Sequence, residues 1–223
     1  ARGSGTSLLL GIEDARVLDH HPERVEELYD MGVRIFTPLW KGETCIGGAH
    51  DTTAGLTDFG ELALRRALEL GMVPDISHAS VASAEEMFDL AAEYRRPVIA
   101  SHSNAYAVCP VSRNLRDGQI RAIVDSGGLI GLNLYTAFLA ADRPATVQDV
   151  LRHAEYFLEH GAENALAMGG DMDGAELPAD LHDLSMLPSL AECFLRHNYP
   201  ETLVRNIFFE NAYRVLHAAL DHH

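Results

Sequence analysis

Cysteine is scarce and poorly spaced in this chain. The three residues, Cys45, Cys109 and Cys193, are odd in number and form no CxxC pair, which argues against a disulfide framework and for a reducing, cytoplasmic compartment. Basic residues are few as well. Seventeen Lys and Arg stand against 33 Asp and Glu, a formal net charge of −16, and such a surface repels nucleic acid and anionic lipid, so neither is an expected partner. No apolar run approaches the roughly 20 residues that span a bilayer, and no signal peptide opens the chain, although a processed N-terminus could hide an export signal. Linkers, repeats and low-complexity tracts are also missing. With 47% hydrophobic residues among 223, the chain can bury one sizeable core, and residues 1–223 are expected to form a single domain.

What is present is a strict alternation of short apolar runs and amphipathic stretches. Ser7–Ile12, Val33–Thr37, Met72–Ile76, Pro97–Ala100, Leu129–Asn133 and Ala165–Gly169 are bounded by Gly, Pro, Ser or Asp and read as strands. Between them Pro22–Met31, Thr57–Leu70, Ser83–Tyr94, Asp117–Ser126 and Thr146–His160 carry helical periodicity, with Gly71 and Gly161 as stops. Helical periodicity returns in Leu187–Arg196 and from Pro200 to Leu220, with no strand between. Buried, non-alternating strands separated by helices predict an α/β fold with a parallel sheet.

Two parallel architectures compete. A doubly wound sheet would carry a Gly-rich phosphate turn after its first strand, and Gly11-Ile12-Glu13-Asp14 is no such turn. A (β/α)8 TIM barrel would bring the polar strand ends Glu13, His78, His102, Asn133 and Asp171 to one rim. The barrel needs eight strands and six are predicted, so the chain is expected to lack the first two βα units.

Two of those ends are alike. Asp75-Ile76-Ser77-His78 and Ala100-Ser101-His102-Ser103 each close an apolar run with Ser-His, and in a parallel sheet both imidazoles would face one crevice. Among twelve histidines, one at a strand end is more often a structural hydrogen-bonder, but two in the same context favour a metal or catalytic role. Glu13 ends the apolar run Leu8-Leu9-Leu10-Gly11-Ile12, where a carboxylate needs a salt bridge, to Arg16 or Arg34, or a metal. Asp171 and Asp173 in Gly169-Gly170-Asp171-Met172-Asp173-Gly174 either reach the mouth or make Asx turns. Arg113 could offer a bidentate fork to a carboxylate, although taken alone such an arginine is more often a surface charge.

In this order, Gly11-Ile12-Glu13, Gly32-Val33-Arg34, Gly55-Leu56-Thr57-Asp58-Phe59-Gly60, Asp75-Ile76-Ser77-His78, Ser101-His102-Ser103-Asn104-Ala105, Arg113-Asn114-Leu115-Arg116-Asp117, Gly127-Gly128-Leu129-Ile130-Gly131 and Gly169-Gly170-Asp171-Met172-Asp173-Gly174 resemble the signature blocks of the membrane (renal) dipeptidase family. The resemblance covers nearly the whole chain. It implies a (β/α)8 barrel of the amidohydrolase type, possession of two Zn2+ ions, and hydrolysis of dipeptides. Glu13 then matches the carboxylate bridging the zincs, His78 and His102 the imidazoles of the second site, and Arg113 the grip on the dipeptide carboxylate. Asp171 matches the acid near the substrate amine, with a general-acid role. The implied mechanism is attack by a bridging hydroxide, acidified by two zincs roughly 3.5–4 Å apart.

The chain departs from the family in two places. No His-x-Asp motif, the ligand pair of the first zinc, precedes Ser7, so the first metal site is incomplete and a mononuclear or non-catalytic barrel is the alternative. Where many relatives carry a substrate-contacting His, this chain has Trp40. His50 in the next loop fits that role poorly and is expected on the surface. The family often dimerises, and a homodimer is a further expectation.

Overall fold

The computed structural model describes residues 8–181 and 183–220. Six parallel strands appear where the apolar runs place them: β1 Leu10–Glu13, β2 Val33–Thr37, β3 Val73–Pro74, β4 Ile99–Ala100, β5 Leu129–Asn133 and β6 Leu166–Gly170. The first begins later than expected, and its predicted start, Ser7, lies outside the described residues. β3 and β4 are the two shortest. Pro74 is the second residue of β3 and Pro97 stands two residues before β4, and a proline has no N–H to give a ladder.

The strands form two sheets, β1-β2-β3 and β4-β5-β6, joined by one parallel bridge between Asp75 and Ile99. The spatial order therefore follows the chain. Pairing of Glu13 with Thr37, Asp75 with Ile99, Ala100 with Ile130 and Asn133 with Gly170 lines up the carboxyl ends on one side. β5 is buried at every residue, the pattern of a strand covered on both faces. A register shift between Leu132 and Asn133 is the kind of irregularity that re-aims a side chain beside a site.

The helices are α1 Arg24–Asp30, α2 Asp58–Glu69, α3 Val81–Glu93, α4 Asp117–Asp125, α5 Thr136–Leu139, α6 Val147–Glu159, α7 Leu187–Arg196, α8 Glu201–Arg205 and α9 Asn211–Leu220. Thr57 caps α2 by accepting from Gly60 N at 3.0 Å, and Ser80 caps α3 by accepting from Ser83 N at 2.9 Å; each satisfies an otherwise orphan donor. The predicted helix from Pro200 to Leu220 is interrupted by a π-turn at Asn206–Glu210. The short α5, inside the loop after β5, was not expected from periodicity, since four residues are too few to show one.

One apolar cluster runs from Ala15 to Ile207 and includes Phe36, Leu64, Met87, Ile130 and Phe157. A second joins Val215 and Ala219 of α9 to Val73, Ile99, Leu129 and Ala167, which are the first or second residues of their strands. α9 thus closes the amino ends of the sheet. The carboxyl ends stay open for side chains.

Candidate metal centre

Glu13, His78 and His102 leave β1, β3 and β4 at that open side and meet. Glu13 Oε1 lies 2.8 Å from His78 Nε2 and 3.3 Å from His102 Nε2, and the two Nε2 atoms are 2.9 Å apart. All three ligand atoms fall within 4.8 Å of one another, the one such group among the described residues. Glu13 takes neither of the salt bridges available to it. Arg16 binds Asp14 at 2.6 Å, and Arg34 lies over the Tyr29 ring.

The far side of each imidazole decides what the near side offers. His78 Nδ1 is 3.0 Å from the Trp40 carbonyl, which can only accept, so Nδ1 carries the hydrogen and the neutral ring presents a bare Nε2. Burial lowers the His78 pKa, which favours that neutral form. Two imidazole nitrogens and a carboxylate oxygen in mutual contact are joined either by a hydrogen on a ring nitrogen or by a cation among them. Protons on the imidazoles serve in acid, and hydrogen bonds from His102 and then His78 hold the Glu13 carboxyl well below the usual range. Two nitrogens and one oxygen also suit a divalent metal such as zinc.

Arg113 is not a surface charge. It is 4% exposed, donating from one terminal nitrogen to Ser103 Oγ at 3.0 Å and from the other to the His102 carbonyl at 3.1 Å. Its Nε is buried with no hydrogen-bond partner among the described residues. Burial pulls its pKa down to about 10 against the pull of Asp75, Asp171 and Glu13, so it remains a cation at neutral pH. Asp171 stands beyond β6 at φ 61 and accepts from Asn133 Nδ2 at 3.2 Å. Asn133 Oδ1 accepts from Tyr135 N at 2.6 Å, which fixes which end of the amide faces Asp171. The indole of Trp40 is half exposed at the rim.

His50 corrects an expectation. Its ring centroid lies 6.0 Å from that of His78, its N–H donates to the His78 carbonyl at 2.7 Å, and its Nδ1 is 3.0 Å from Ser112 Oγ. It therefore bridges the turns that carry His78 and Arg113, because the loop after β2 folds back over β3. Asp75 was also passed over. It is fully buried, and it follows the apolar Met72-Val73-Pro74, the same signal that drew attention to Glu13.

An α/β sheet with a His/Glu cluster and a buried arginine at its strand ends defines the class, an α/β fold with a candidate metal site at the carboxyl ends of its strands. The comparisons then give the family. The chain matches the membrane dipeptidase family, peptidase family M19, over residues 1–222, and it belongs to that family. An uncharacterised protein from the pqqA 5′ region of Klebsiella pneumoniae is 33% identical, covering 94% of this chain and 81% of its own length. A solved metallopeptidase described as dipeptidase AC superposes with TM-score 0.88 at 31% identity, covering 95% of this chain. A metallopeptidase from Rhodobacter sphaeroides, solved with a phosphinate mimic of the dipeptide L-Ala-D-Ala, also gives TM-score 0.88 at 31% identity over 94% of this chain. The present chain spans 65% and 62% of those two structures.

Proposed function

We propose that this chain carries the second metal site and the substrate grip of a zinc dipeptidase built on a (β/α)8 barrel, with the six strands here as part of that barrel. The observation that supports this reading is the contact of Glu13 Oε1, His78 Nε2 and His102 Nε2, a donor set that suits a divalent cation. A zinc ion held there supplies a Lewis acid able to polarise a carbonyl and acidify water at neutral pH. Glu13, His78 and His102 would hold such an ion. The remaining roles belong to the protein. Arg113, with its unpartnered Nε, takes the carboxylate of the dipeptide. Asp171, held by Asn133, would face the substrate amine, take a proton from the attacking water and pass it to the leaving nitrogen as the carbon–nitrogen bond breaks. Trp40 and the loop around it border the substrate side chain.

Metal analysis with a hydrolysis panel tests this reading. The chain is expected to bind zinc at about one equivalent and to lose it in His78→Ala or His102→Ala. Dipeptides, including those with a carboxyl-terminal D-residue, should be cleaved in preference to N-acyl amino acids and lactones. Arg113→Lys keeps the charge but loses the fork, so kcat/KM should fall for free dipeptides and much less for amidated ones. Full metal content in both histidine variants would sink the site. A second reading, a mononuclear or non-catalytic barrel, is favoured by the single three-ligand group among the described residues. Metal binding without cleavage of any panel member would support it.

A further inference from the structure

Asp75 is a fully buried carboxylate with four donors and no ion pair among the described residues. Thr37 Oγ1 donates to its Oδ2 at 2.7 Å, Ser77 N and Ser101 N donate to its Oδ1 at 2.9 Å each, and Ser101 Oγ makes a short contact to Oδ2. Ser101 Oγ also lies 2.7 Å from His102 Nδ1 and, more loosely, 3.4 Å from Ser77 Oγ.

A serine hydroxyl has one hydrogen. Two backbone N–H groups on Oδ1 and the Thr37 hydroxyl on Oδ2 present Asp75 as an acceptor, so the contact from Ser101 Oγ takes the serine hydrogen. Ser101 Oγ must then accept from His102, which places the imidazole hydrogen on Nδ1 and leaves Nε2 bare toward Glu13 and His78. The order of contacts also separates this group from a serine nucleophile, because the hydroxyl stands between carboxylate and imidazole instead of at one end.

We propose that Asp75, acting through the Ser101 hydroxyl, is a positioning residue that sets the tautomer and ring plane of His102 for metal binding. The proposal rests on the metal-site reading above for its purpose, while its first readout needs no metal. Metal-ligating imidazoles commonly hand their second N–H to such an acceptor, and disturbing that acceptor typically costs about 10–100-fold in metal affinity. Here the carboxylate reaches the ring through a hydroxyl, and the same carboxylate ties β2, β3 and β4 together at the rim. Asp75 therefore couples the alignment of three strand ends to the aim of one ligand.

The experiment compares wild type, Ser101→Ala, Ser101→Thr and Asp75→Asn, each confirmed folded by thermal melting. Long-range 1H–15N spectra of the metal-free proteins report which nitrogen of His102 carries the hydrogen. Wild type and Ser101→Thr should show it on Nδ1, and Ser101→Ala should lose that preference. Co2+ alone is then titrated, using the fluorescence of the single tryptophan, Trp40, whose carbonyl contacts His78. Ser101→Ala should bind about 10–100-fold more weakly, with Ser101→Thr close to wild type. Asp75→Asn, if folded, should match Ser101→Ala. A His102 hydrogen on Nε2 in wild type would overturn the proposal, as would a Ser101→Ala affinity within twofold of wild type, or equal losses in the Ala and Thr variants. Wild type with the Nδ1 tautomer but no Co2+ binding would overturn the metal site itself.

Discussion

At the scale of single residues, the backbone at the site is strained. His78 sits at φ 70, a left-handed conformation that costs a residue with a Cβ about 1–2 kcal/mol. In this conformation its imidazole reaches β1, with Nε2 2.8 Å from Glu13 Oε1. His78→Ala and His78→Gly both remove the ligand, but only glycine removes the strain. Metal-free His78→Gly is expected to be more stable than His78→Ala by about 1 kcal/mol in thermal or urea melts. A glycine variant no more stable than the alanine one would mean the turn is not strained. His153 carries a different kind of cost. It is fully buried on α6, accepting from Ala105 N at 3.1 Å and meeting the Leu139 carbonyl at 3.2 Å, and burial lowers its pKa from 6.5 to about 4. The folded state resists the proton that the unfolded chain takes up below pH 6.5, so stability falls as pH drops from about 6.5 to about 4. The loss attributable to this group is about 3 kcal/mol when complete. His153→Gln, which cannot ionise, should show a flatter stability profile across that window, and identical slopes for the two proteins would remove His153 as the cause.

At the scale of elements, the site depends on how closely β4, β5 and β6 approach. A Cβ on Gly131 of β5 would collide with the Ser101 carbonyl and lie 2.8 Å from Gly169 Cα. The obstacle is backbone on both sides, so nothing flexible can yield. Gly131→Ala must push Ser101 away from β5, and Ser101 carries both the hydroxyl against Asp75 and the peptide leading to His102. This variant should lose metal affinity as well as stability, by about 1–3 kcal/mol. Gly127, at φ 71 in the turn before β5 with open space around its missing Cβ, is the control: Gly127→Ala should lower stability while leaving metal affinity unchanged. Equal metal affinities for Gly131→Ala and wild type would show that the strand spacing does not aim the ligand.

At the scale of the whole molecule, the strands of the described residues end at β1 on one side and β6 on the other. β1 hydrogen-bonds β2 alone among the strands of the described residues, and Leu8 and Leu10 are 87% and 50% exposed. An apolar strand edge of that kind recruits a further strand. A purified chain of these 223 residues should therefore self-associate, and Leu8→Lys combined with Leu10→Lys should shift it toward the 24.4 kDa monomer in light scattering. A wild-type chain that stays monomeric at tens of micromolar would count against the edge as the contact. At the opposite ends of the strands, α9 seals the amino-terminal side, so addition of a neighbour at β1 leaves the metal-binding rim accessible.

The alternation of strand and helix, the positions of all six strands and the candidacy of Glu13, His78 and His102 were legible in the amino-acid order. Each rests on a local pattern: apolar runs of strand length, periodic helical faces, and a polar residue closing an apolar run. Only the tertiary structure decided which partner each end would take. Glu13 had Arg16 nearby in sequence and Arg34 on the next strand as candidate partners and instead meets His78 and His102. Arg113 taken alone reads as surface charge and by family resemblance as a substrate grip, and it is buried against Ser103 and the His102 carbonyl. His50 looked like a loop residue and lies against the turn of His78. Asp75 gained its place from hydroxyls and amides on β2 and the turns after β3 and β4. Burial and hydrogen-bond direction are properties of strands brought side by side from distant parts of the chain, and no local pattern records which donor will face which acceptor once they pack.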